Sequence, residues 1–65
     1  MNRLREARFF KRMNQYQLAI SAGMHQSRIS LIEKGYARPR PDEKKRLAQA
    51  LGAKPEDLFL SEGDE

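Results

Sequence analysis

Gly23, Gly35 and Gly52 each follow directly on a run whose apolar residues recur at helical spacing, and each is placed to end it. The runs are Gln15 to Ala22, Gln26 to Lys34 and Pro41 to Leu51. Nowhere does the chain sustain the period-two alternation of a half-buried strand. Punctuation this frequent leaves room only for short helices joined by tight turns. The constraint is sharp because the chain has 65 residues and no cysteine. A domain of this size buries only about 60% of the surface its unfolded chain exposes. Without disulfides it must therefore pack its helices closely.

Two further segments complete an all-α reading with five helices. The first helix is expected from about Asn2 to Arg12, with Leu4, Ala7, Arg8 and Lys11 on one stripe. At about 100° per residue, Phe9 points nearly opposite the Leu4–Ala7 stripe, whereas Phe10 is expected at the core margin, packing toward Met13. Asn14 stands at the N-cap of the second helix, where its side chain can accept from a free first-turn amide. The two prolines of YARPRP keep that stretch extended. Pro41 suits the first turn of the fourth helix, and Asp42 and Glu43 suit its positive end. Pro55 opens a last short helix, PEDLFL. Residues 1–60 are expected to form one compact domain, and Ser61 to Glu65 a short acidic disordered tail.

The charge is unevenly spread. Residues 1–46 hold twelve of the thirteen basic residues but only four of the nine acids, a surplus of eight positive charges. A basic body of this kind points to a polyanion partner. Other classes find little support. No cysteine and a lone His25 rule against a metal site, and no cofactor or small-molecule ligand is evident. The chain has too little length for a substantial catalytic pocket, so no enzyme is expected. No apolar run approaches the roughly 18 residues of a membrane span, and the charged N-terminus lacks a signal-peptide core. A cytoplasmic protein is the expectation.

Within this frame, Gln15 to Lys34 reads as one twenty-residue unit. Leu18, Ala22, Met24, Ile29 and Ile32 fall where two crossing helices share a core. Small Ala19 lets the helices approach, and Gly23 permits the reversal between them. An ordinary αα-hairpin also needs small and apolar residues at its crossing, but seven matched positions favour a DNA-binding helix-turn-helix. Gln26, Ser27, Arg28, Ser30 and Leu31 point away from that core, free to enter a groove.

The stretches LREAR, NQYQLAISAG, SRISLIEKG, the basic proline loop, LAQALG and EDLF resemble the lambda-repressor-like helix-turn-helix proteins, the Cro or Xre family. The resemblance covers roughly residues 3 to 60. It implies a compact five-helix domain that binds a double-stranded DNA operator, usually as a homodimer, in a docking geometry well described for such proteins. By position, it implies that Gln15 bonds a phosphate, and that Asn14 presents backbone amides beside it. Gln26 and Ser27 fall where base edges are read, Gln26 matching adenine; Arg28 would reach guanine or the backbone, and Leu31 a thymine methyl. Lys34, Arg38 and Arg40 would grip phosphates, with Tyr16 and Tyr36 flanking the same face. Arg8 and Glu33 match a structural pair bridging helices one and three. Some of Leu58, Phe59 and Leu60 must cap the core against helix one, and those that stay exposed are candidates for the dimer contact.

Two departures stand out. His25 occupies a cap position where relatives often carry serine or threonine, and Arg12 a position that is often glycine. A repressor is the leading expectation. A restriction–modification controller, an antitoxin acting through protein binding, and a binder of structured RNA are the alternatives.

Overall fold

The computed structural model describes residues 2–59. Its described residues form five helices: α1 (Leu4–Phe10), α2 (Gln15–Ala22), α3 (Gln26–Glu33), α4 (Pro41–Leu51) and α5 (Pro55–Leu58). No strand occurs among them. The all-α, five-helix expectation is met. The proposed tail, Ser61 to Glu65, and the dimer candidate Leu60 lie outside the described residues.

Local chemistry explains where the helices start and stop. The α2 start is a reciprocal cap. Asn14 Oδ1 accepts from the Gln17 N–H at 2.7 Å, and Gln17 Oε1 accepts from the Asn14 N–H at 2.8 Å. Gly23 ends α2 in the left-handed region, at φ 68°. The next amide, of Met24, then donates back to the Ala19 carbonyl at 2.9 Å.

α1 is shorter than its stripe suggested, at both ends. Asn2 stays outside the helix as a bracket: its Oδ1 accepts from the Leu4 N–H, and its Nδ2 donates to the Ile32 carbonyl at 2.9 Å. At the other end Arg12 adopts φ 58°, a left-handed conformation unfavourable for a residue with a Cβ. This reversal delivers half-buried Met13 to the core from the loop. It leaves Phe10 on the last turn of α1, 86% exposed rather than at the core margin. The expected Phe10–Met13 packing therefore does not form.

α2 is the central helix, packed against both α3 and α4. Leu4, Leu18, Ala19, Ala22, Ile29, Ile32, Leu47, Ala48 and Leu51 form one core. Each large side chain buried there contributes about 1.5–3 kcal/mol. α5 closes the open end. Leu58 and Phe59 are 2% and 3% exposed, and the Leu58 carbonyl accepts from the Arg3 N–H at 2.8 Å. Both therefore belong to the part of the cluster that caps the core, and neither is left exposed as a dimer contact. A core this small needs the apolar surface of its last turn for itself.

Arg12→Gly relieves the left-handed strain of about 1–3 kcal/mol, offset by the added freedom of glycine in the unfolded chain, about 0.4–1 kcal/mol. The expected net gain is about 1 kcal/mol, read as a rise of a few degrees in the thermal midpoint. A loss of stability would show that the Arg12 side chain contributes more than its backbone costs.

Candidate nucleic-acid interface

Where Arg8 falls on the apolar stripe of α1, its guanidinium enters the interior. The Arg8 and Glu33 side chains are 7% and 5% exposed, and a charge so deep needs every donor matched. Arg8 Nε donates to Glu33 Oε2 at 2.6 Å and Nη2 to Oε1 at 3.2 Å, a two-point fork. Its Nη1 donates to the Met13 carbonyl at 2.9 Å, and Gln15 Nε2 adds a bond to Glu33 Oε1 at 3.1 Å. The buried pair thus joins the end of α3 to α1, to the turn after it and to the first residue of α2.

With its far end fixed this way, α3 turns one face outward. Gln26, Ser27 and Leu31 are exposed, and Ile29 and Ile32 are buried. His25 is the N-cap in extended backbone, and its side chain makes no capping bond. Its carbonyl accepts from the Arg28 and Ile29 amides, as a cap carbonyl should.

Arg28 behaves otherwise than expected. Its guanidinium turns back toward α4, giving Nε to Glu43 Oε2 at 3.1 Å and Nη2 to Glu43 Oε1 at 2.9 Å. Nη2 also donates to the Arg38 carbonyl at 3.0 Å. The fork that would read guanine is occupied by a carboxylate and a backbone oxygen. Glu43 additionally accepts the Arg40 N–H at 2.8 Å. The hydrogen bond from Arg28 holds the Glu43 carboxyl below the usual carboxylate range, against its partial desolvation. The same pairing pushes Arg28 further up.

Between these anchors runs the basic loop. Pro39 is buried, and Arg38 and Arg40 on either side of it are exposed, as is Lys34 at the end of α3. Tyr16 and Tyr36 are exposed as well, and Gln15 is half-buried. Asn14 lies in solvent with its side-chain oxygen engaged by the cap.

Sequence reasoning missed Arg46. Its Nη1 donates to the Gly23 carbonyl at 3.1 Å and its Nη2 to Asp42 Oδ2 at 2.8 Å, linking α4 to the turn between α2 and α3. The four-residue spacing of Asp42 and Arg46 was the available signal; the bond to Gly23 had none. A Cβ on Gly23 would sit 3.5 Å from Arg46 Nη1, an ordinary contact. Glycine is therefore needed there for its backbone and not for space. Among the described residues no group of His, Cys, Asp or Glu is arranged to hold a metal ion, and no helix is long and apolar enough to cross a membrane.

Comparison with known proteins agrees with this geometry. A family model described as a helix-turn-helix domain matches residues 2–59. Among solved structures, the restriction–modification controller protein C.AhdI from Aeromonas hydrophila is similar, with a TM-score of 0.84 and 35% identity. The match covers 88% of this chain and 86% of that one. No curated protein matches the chain significantly in sequence.

Removing one partner of the buried pair leaves the other charged and unmatched. Glu33→Gln is expected to cost about 3–5 kcal/mol, measured as a fall in the urea midpoint. The Glu43 pair predicts a pH effect. A carboxyl whose folded value is depressed stabilises fully above its unfolded value, about 4.3 for glutamate, and that stability is lost as the pH falls through the folded value. Glu43→Gln should flatten the acid limb of a stability–pH profile in that window while the neutral-pH fold survives.

Proposed function

This chain belongs to the helix-turn-helix domain family, and from that premise we propose that it is a sequence-specific, double-stranded DNA-binding transcriptional regulator. The observation that carries the reading is the presentation of α3. Its Gln26, Ser27 and Leu31 side chains are exposed, while the other end of the helix is tied down by the buried Glu33 fork. In this reading α3 enters the major groove, with Gln26 and Ser27 at base edges and Leu31 at thymine methyls. Asn14, Gln15, Lys34, Arg38 and Arg40 supply backbone contacts, which set affinity and its salt dependence. Arg28 serves as a brace on the loop that carries Arg38 and Arg40, as its bonds to Glu43 and the Arg38 carbonyl support.

An eight-residue helix offers only a few forward side chains, enough for a few base pairs. Specific occupancy of one site therefore calls for two copies on a near-palindromic operator, with recognition helices about 34 Å apart. Repression needs nothing beyond that occupancy. The similarity to C.AhdI, at 35% identity over 86% of that protein, favours a second reading in which the regulated genes are those of a restriction–modification system.

Selection from randomised duplexes at moderate salt should enrich a two-fold-related sequence. Failure to enrich any sequence would sink the reading. On the selected site Gln26→Ala is expected to cost about 1–3 kcal/mol, with little change on random DNA. Arg38→Ala should weaken binding alike on both and reduce the salt slope by about 1.

A further inference from the structure

The exposed Phe9 has no place in the core or in the reading helix, yet its ring is in use. The Arg5 guanidinium carbon lies 5.3 Å from the ring centroid and that of Arg8 lies 4.7 Å from it. Arg8 is already matched by Glu33, but Arg5 forms no ion pair among the described residues. A ring takes the face of a guanidinium and leaves its N–H edge to bond elsewhere. Beside this stack, Arg5, Arg8, Gln15, Glu33 and Lys34 line one groove.

A carboxylate in that groove would ordinarily repel an anion. Here Glu33 is neutralised: Oε2 takes Arg8 Nε at 2.6 Å, and Oε1 takes Arg8 Nη2 at 3.2 Å and Gln15 Nε2 at 3.1 Å. The charges left over are those of Arg5 and Lys34, and Gln15 keeps one of its two amide hydrogens. We propose that Arg5, held in place by the Phe9 ring, is a further donor to the backbone phosphate that Gln15 and Lys34 of the same groove hold in the reading above. The proposal rests on the DNA-binding reading and extends the footprint from the helix-turn-helix to α1. Phe9 acts as a positioning residue, sparing the long arginine side chain part of the ordering cost that binding would otherwise carry.

The test is binding to a duplex of arbitrary sequence, followed by anisotropy across a salt series. Each neutralised phosphate adds about 0.9 to the slope of log affinity against log salt. Arg5→Ala should lose about that much, so that the fall in affinity between about 50 and 200 mM salt becomes roughly threefold smaller. Phe9→Ala removes no charge, yet it should lose part of the same slope, and Phe9→Tyr should restore it. Lys54→Ala, at the start of α5 and outside the groove, removes the same unit of charge and should leave the slope unchanged. An undiminished slope in Arg5→Ala overturns the proposal while the DNA-binding reading stands. So does an equal loss in Lys54→Ala, because net charge would then explain both. Absence of any binding by the unsubstituted protein overturns the proposal and the reading together.

Discussion

A single buried carboxylate holds the working geometry together. Glu33 lies at the last turn of α3, and its two oxygens gather Arg8 from α1 and Gln15 from α2, while Arg8 also reaches the Met13 carbonyl. The pair is expensive to bury and gains little net stability over well-packed apolar side chains. What it provides is register. Apolar contacts between short helices tolerate sliding, whereas a two-point guanidinium–carboxylate fork accepts one rotation and one distance. The exposed N-terminal residues of α3 hold one direction because the other end of the helix is fixed.

α4 braces the other side by the same means. Arg28 is tied to Glu43 and to the Arg38 carbonyl, and Arg46 to the Gly23 carbonyl. These bonds reach α3, the basic loop and the turn between α2 and α3. A chain without cysteine has no covalent staple for them. Exposed ion pairs such as Arg46–Asp42 contribute little to stability, about 0–1 kcal/mol, so their value here is in orientation. The arrangement also sets some cationic side chains apart from others. Arg8, Arg28 and Arg46 are spent on protein oxygens. Arg5, Lys34 and Arg40 face solvent on surfaces where an anion can approach.

Much of this was legible in the residues. α2 and α4 begin and end where Asn14, Gly23, Pro41 and Gly52 indicated. Helix boundaries set by caps are local events, decided by a residue and its neighbours three or four positions away. The Arg8–Glu33 pairing came from resemblance and not from spacing, since nothing in the chain itself says that positions 8 and 33 meet. Where expectation failed, the deciding partner lay elsewhere in the sequence. Arg28 sits on the outward face of α3, and only the return of α4 puts Glu43 within its reach. Phe10 is the exception, decided locally: α1 stops at Phe10 and the chain reverses at Arg12, which leaves the ring in solvent. Which of Leu58, Phe59 and Leu60 would cap the core could not be read until α5 placed Leu58 and Phe59 over its open end.

By itself, then, the sequence determined the number of helices, the ends of α2 and α4, the glycine turn at residue 23 and the basic character of the chain around it. Those follow from backbone freedom, capping and charge, which act over a few residues or simply add up. The tertiary structure decided which arginines are free to meet a partner and which are spent inside the fold. A long cationic side chain goes to whichever oxygen comes within hydrogen-bonding distance, and the packing of distant helices determines which oxygen that is.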